Sequence, residues 1–120
     1  MEKLLIVLNH GLDNPTKATR AFQMAKVAKE KNIDITMFLV DDAVLLAKKD
    51  INAVENIKAP TGDELKAYLQ YLVEKGVPIL VCTPCAKNRG IKEEDLLENA
   101  KFATAYDLIS LTMESKTLCF

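Results

Sequence analysis

Short apolar runs that alternate with amphipathic stretches restrict the folds open to this 120-residue chain more than any other feature. Leu4-Leu5-Ile6-Val7-Leu8 is apolar at every position, as expected of a strand buried on both faces. Asn14 and Pro15 supply an N-cap and a first helical residue, and Ala18, Ala21, Phe22, Ala25 and Ala28 then share one helical face as far as Lys31-Asn32. A second strand is predicted over Ile33 to Val40, ending in Asp41-Asp42. Ala43 to Ala47 is apolar on every side and predicts a short helix, whereas Lys48 to Pro60 has no sustained period and reads as a long connection.

Thr61-Gly62-Asp63-Glu64 has the form of a capping box, in which the Thr hydroxyl and the Glu carboxylate satisfy each other's backbone amides. The helix it opens puts Leu65, Leu69, Leu72 and Val73 on one face, with Gly76 placed to end it. Val77 to Val81 predicts the third strand, Lys92–Glu98 a short acidic helix and Lys101–Ala103 a weak strand. Thr104 then caps a last helix with Leu108, Leu111 and Thr112 facing inward, and Thr117-Leu118-Cys119-Phe120 closes the chain as a strand. Strands alternating with helices mean an α/β sandwich with a mainly parallel sheet. Right-handed crossovers place the carboxyl ends of all its strands on one edge, where the ligands of open α/β sheets bind. That edge holds Asn9-His10-Gly11, Asp41-Asp42 and Cys82-Thr83-Pro84-Cys85.

At this length one domain, residues 1–120, is expected, burying about two-thirds of the surface of the unfolded chain. Sixteen basic residues against 17 acidic ones give a net charge of −1. No basic stripe or aromatic-plus-Arg cluster points to nucleic acid. The Leu4–Leu8 run is too short for a signal-peptide core or a membrane span, so no membrane is expected and the cytoplasm is the expected compartment. Thiols stay reduced there, and three cysteines do not make a disulfide framework.

The closely spaced pair Cys82 and Cys85 is open to several readings. A structural zinc site needs four ligands; His10 and Cys119 would have to complete it, and no second metal-spaced pair exists, so no metal is expected. Packing as a small hydrophobe suits Cys119, which lies in the closing apolar run, better than the pair, which flanks Thr-Pro where the chain leaves its strand. A reactive thiolate needs nearby positive charge or helix-end amides. Thr83 and Pro84 can start a turn that puts Cys82 at its positive end, with Lys87 and Arg89 adding charge, before Asn88 and Gly90 break it. Arg89 is a candidate companion for a thiolate, or a solvated turn residue. His10 is either a base for Cys82 or a turn histidine. Asp41 and Asp42 are an acid–base pair or, with more precedent, turn and cap residues. Asn9-His10-Gly11 with Asn14-Pro15 holds one glycine where phosphate-binding fingerprints need more, and no cofactor is expected.

The short first strand with its Asn-x-Gly exit, "FLVDDAV" (38–44), "GVPILVCTPCAKNRGI" (76–91) and the closing helix and strand together resemble the DsrE/DsrF-like family of small sulfur-handling proteins, in its YchN-like branch. The resemblance runs nearly end to end. Members with an active cysteine carry it at the end of this strand, eight residues before the Gly of an Arg-Gly-[Ile/Val] turn; Cys82 and Arg89-Gly90-Ile91 match that spacing, and Cys85 matches the second cysteine of the branch. The resemblance implies a three-layer α/β/α domain with a five-stranded sheet, assembled as a trimer or hexamer, in which Cys82 carries sulfur as a persulfide between donor and acceptor proteins. The all-apolar Ala43–Ala47 segment would suit a subunit contact. The expected function is that of a homo-oligomeric sulfur carrier or sulfurtransferase, with Cys85 as resolving thiol. The alternatives are a dithiol oxidoreductase using Cys82 and Cys85, and a non-catalytic homo-oligomeric binding or scaffold protein.

Overall fold

The handedness of the crossovers explains how this chain is layered. In a computed structural model that describes residues 2–50, 57 and 61–120, five strands form one sheet. They are β1 (Lys3–Leu8), β2 (Asp34–Leu39), β3 (Ile79–Cys82), β4 (Ala100–Ala103) and β5 (Lys116–Cys119). Their order is β4-β3-β2-β1-β5, and every pairing is parallel. From β1 to β4 the chain steps outward in one direction, so right-handed crossovers put α1 (Pro15–Glu30) and α2 (Leu65–Glu74) on the same face. The step from β4 back to β5 reverses direction and crosses the whole sheet, so α4 (Ala105–Glu114) covers the opposite face. The three layers of the expected sandwich follow.

The two faces are unequally covered. On the α1/α2 side, Ile6, Leu8, Met37, Leu39, Ile79 and Val81 of the strands meet Phe22, Leu65 and Leu72, all fully buried. Alanines at 18, 21, 25 and 28 let α1 lie close to the sheet. On the other side a smaller cluster of Leu5, Phe38, Leu80 and Ala103 meets only half-buried Leu108 and Leu111 of α4. Thr112, expected inward, is exposed and turns its hydroxyl back to the Leu108 carbonyl at 2.8 Å. The outer face of α4 carries Tyr106, Ile109 and Met113, exposed by 87%, 63% and 81%.

Several helix signals operate as expected. The Asn14 side chain accepts the Lys17 amide at 3.2 Å, with Pro15 first in α1. Thr104 accepts the Asp107 amide while the Asp107 carboxylate accepts that of Thr104, a reciprocal cap on α4. The box expected at Thr61–Glu64 does not form. Glu64 precedes α2 without a side-chain cap, and Thr61 bonds Asp63 instead. Asp63 also accepts from Arg20 of α1 and from the Tyr68 hydroxyl, so this turn bridges two helices rather than capping one.

Strand and turn boundaries shift for local reasons. β3 starts at Ile79 because Pro78 has no amide to donate, although its carbonyl accepts the Met37 amide at 3.0 Å. The acidic helix expected over 92–98 reduces to one 3-10 turn, Glu93–Asp95. Asp41–Ala47 is likewise a 3-10 helix, and Ala43, Val44, Leu46 and Ala47 are buried in the chain's own core. That corrects the expectation of a subunit contact there. Most of the predicted connection Lys48–Pro60 lies outside the described residues. Among those described, no helix is long and apolar enough to cross a membrane.

Candidate functional site

Cys82 is both the last residue of β3 and the N-cap of α3 (Thr83–Lys87). The apolar Ile79-Leu80-Val81 run brings it to the carboxyl edge of the sheet, where its side chain packs at the rim of both core clusters. The Thr83 hydroxyl does not cap α3. It donates to the Ala103 carbonyl at 2.8 Å and so ties the β3 exit to β4. Pro84 fits the first turn of α3, and Cys85 lies one turn beyond Cys82. Asn88 ends the helix, and Gly90 (φ 72°) supplies the left-handed turn that sends buried Ile91 back to the core.

Two aspartates at the exit of β2 reach this segment in different ways. The Cys85 thiol donates to Asp41 Oδ1 over a long 3.9 Å contact. Arg89 Nη2 donates to Asp42 Oδ1 at 2.8 Å, and its Nη1 to the Cys85 carbonyl at 3.2 Å. Asp41 adopts a left-handed backbone, φ 50°, which Asp tolerates better than most residues. Asp42 is held from behind by the β1 exit. A Cβ on Gly11 would lie 2.5 Å from the Asp42 carbonyl oxygen, so only glycine allows that approach. The two carboxylates do not pair with each other as acid and base; one serves the thiol and the other the guanidinium.

The electrostatics do not favour a thiolate at Cys82. Burial pushes the thiol up to about 11, helped by the neighbouring Cys85 side chain and by the negative charge of Asp41. The Cys85 backbone amide pulls the other way and is outweighed. At pH 7 the thiolate fraction is then on the order of one in ten thousand. The positive turn end expected to activate Cys82 therefore does not prevail. Arg89, expected as companion to the thiolate, points its guanidinium at Asp42, whose carboxylate raises its pKa further.

Other sequence candidates lie elsewhere. His10 Nδ1 pairs with Asp13 Oδ2 at 2.7 Å, while Asp13 Oδ1 accepts the Gly11 amide at 2.7 Å. These bonds hold the Asp13 carboxyl below its usual range. His10 follows β1, two strands from β3 and roughly 10 Å away at ordinary strand spacing. Cys119 ends β5, three strands from β3, and is exposed rather than packed, contrary to expectation. Among the described residues no cluster of three or more His, Cys, Asp or Glu side chains is arranged to hold a metal ion. The Asp41–Cys85 and Asp42–Arg89 contacts, 44 and 47 residues apart in the chain, have no local sequence signal. The one available clue is an acidic pair at the carboxyl end of a buried strand.

The family model for the DsrE/DsrF-like family matches residues 2–120. Uncharacterized protein MJ0989 of Methanocaldococcus jannaschii is 37% identical over 113 residues, covering 94% of each chain. Uncharacterized protein MK0008 of Methanopyrus kandleri is 30% identical over 123 residues, covering 100% of this chain and 94% of its own. Protein YchN of Escherichia coli K12 is 27% identical over the whole of both chains. The crystal structure of the E. coli ychN protein superposes at a TM-score of 0.83 with 26% identity, again over the whole of both chains. A Methanobacterium thermoautotrophicum protein, MTH1491, shares the fold at a TM-score of 0.64 and 11% identity. By fold, by full-length family match and by these relatives, the chain belongs to the DsrE/DsrF-like family, in its YchN-like branch.

Proposed function

We propose that this chain is a sulfur carrier that holds persulfide sulfur on Cys82. The family as a whole belongs to a sulfur-relay context. The observation that supports the finer reading is the placement of Cys82 at the carboxyl edge of the sheet, with a second thiol one helical turn away. In loading, the Cys82 thiolate attacks the outer sulfur of a donor persulfide; a Cys82 S–S bond forms, the donor S–S bond breaks and the donor leaves as a thiol. Transfer to an acceptor thiol repeats the exchange in reverse. When no acceptor takes the sulfur, Cys85 attacks Cys82 Sγ, forming the Cys82–Cys85 disulfide and expelling hydrosulfide. The two thiols are oxidised as the carried sulfur is reduced.

The raised Cys82 pKa suits a carrier that rests as an unreactive thiol and is activated when a donor protein docks and changes its surroundings. Arg89 sits one hydrogen bond from the Cys85 backbone and can turn toward a persulfide anion if Asp42 releases it. Intact mass after incubation with a persulfide donor tests the reading. Wild type should gain one sulfur atom and Cys82→Ser none; equal gain in both would place the carrier thiol elsewhere. The one-turn spacing of the two free thiols also favours a second reading, a dithiol oxidoreductase. It requires a reversible Cys82–Cys85 disulfide in a glutathione redox titration with no sulfur donor present.

A homo-oligomer, trimer or hexamer, belongs to the same proposal. The support is the outer face of α4, where Tyr106, Ile109 and Met113 stand in water at helical spacing. A stripe of that kind on a cytoplasmic protein calls for a cover.

A further inference from the structure

The thiol pair does not end at Cys85. Cys85 lies one helical turn beyond Cys82, and its thiol donates to Asp41 Oδ1 over 3.9 Å. A chain of three groups thus runs from the sheet rim to an exposed carboxylate. Asp41 reaches this position through a left-handed backbone, one of only two non-glycine residues among those described to adopt one. The other, Asn32, merely follows the end of α1. At Asp41 the conformation is imposed from both sides: Asp42 is held by Arg89 and by the close approach of Gly11, and the preceding Val40 amide is fixed to the Leu8 carbonyl at 3.0 Å. A sparsely populated conformation that the surroundings over-determine is often found where a side chain must be aimed.

We propose that Asp41 is the proton acceptor for Cys85 in the step that closes the Cys82–Cys85 disulfide. This deepens the reading of Cys85 as resolving thiol and rests on it, but not on the carried atom being sulfur. As the Cys85 sulfur attacks Cys82 Sγ, its proton passes to Asp41 Oδ1. The new S–S bond forms, the bond from Cys82 to its leaving group breaks, and the proton moves on to that group or to water. Contacts of this kind are commonly long in the resting state and shorten during reaction. The other charged groups facing the pair leave Asp41 this role. Asp42 is engaged by Arg89, Arg89 carries no basic site, and His10 lies two strands away, paired with Asp13.

The test uses reduced protein in a Cys119→Ser background and 4,4′-dithiodipyridine; peptide mass identifies the thiol that takes the pyridyl group, and closure is read from molecules modified at Cys82, where Cys85 is the attacking thiol. The second, concentration-independent phase reports closure. Asp41→Asn keeps a residue at home in the left-handed backbone and removes the acceptor; Asp41→Gly removes the side chain where positive φ costs nothing. In both variants closure at pH 6–7 should slow by roughly tenfold or more. Above about pH 10, where hydroxide takes the thiol proton directly, the variants should merge with wild type. Closure as fast as wild type at pH 7, faster closure, or the same slowing at every pH would overturn the proposal, the last because a purely structural defect has no reason to vanish with pH. Because no persulfide is present, failure here leaves the Cys82→Ser loading result untouched, and the reverse also holds.

Discussion

Single residues set the character of the edge. Cys82 is the clearest case: burial and its Cys85 neighbour outweigh the helix-end amides, so its thiol is pushed up to about 11. Alkylation of Cys82, followed by peptide mass, should therefore keep rising between about pH 10 and 11, where an ordinary thiol has levelled off. A plateau well below about pH 10 would mean that the surroundings activate the thiol instead. Gly11 is the second case. Its approach to the Asp42 carbonyl leaves no room for a methyl group, and the nearest atoms are backbone rather than a side chain that could swing away. Gly11→Ala should cost about 1–3 kcal/mol in denaturant unfolding, and it should weaken the grip on Asp42 that keeps Arg89 occupied. The glycine itself is plain in the sequence, as are both cysteines. What each one touches is not, because Asp42 and Gly11 meet only after α1 has returned the chain to start β2 beside β1.

Elements were legible where their signals are local. Asn14-Pro15 and Thr104 announce helix starts through caps that need only the next three residues, and both caps form. Thr104→Ala should lower stability by about 1 kcal/mol, measured by urea unfolding, because α4 lies on its sheet face through only two half-buried leucines and has little else to hold its first turn. Thr61-Gly62-Asp63-Glu64 carries an equally good local signal and fails, since Arg20 and Tyr68 offer Asp63 a better set of donors than the helix end does. The bonds from Thr61, Tyr68 and Arg20 hold the Asp63 carboxyl far below its usual range. A depressed folded pKa means stabilisation that is fully present above the unfolded carboxylate value near 4 and is lost as pH falls through the folded one. Asp63→Asn should therefore melt lower than wild type at pH 7, with the gap closing as pH falls below about 4. A gap that stays constant with pH would mean that shape rather than charge holds the turn.

At the scale of the whole molecule, the unequal covering of the two sheet faces is the dominant fact. One face is closed by α1, α2 and the 3-10 helix; the other rests on α4, whose outer side presents Tyr106, Ile109 and Met113 to solvent. The apolar segment Ala43–Ala47 looked like the subunit contact because a helix without a polar face must be covered, but the chain covers it alone. If α4 is instead the contact, Ile109→Glu should shift the particle toward the monomer mass in sedimentation while leaving the fold intact by circular dichroism. An unchanged mass would move the contact elsewhere.

By itself the sequence determined the class of fold, the order of its elements and the edge where the chemistry gathers, because apolar periodicity, caps and crossover handedness are local or topological rules. It also carried the family, since Cys82, Cys85 and the Arg89-Gly90-Ile91 turn lie within one short stretch. Only the tertiary structure decided that Cys82 rests protonated, that Arg89 faces Asp42, that Asp41 meets Cys85 and that Cys119 stands exposed. Each of these depends on groups more than forty residues apart, or on burial, and neither is encoded in any local pattern: charge and desolvation act through space, and the chain had to fold before the space existed.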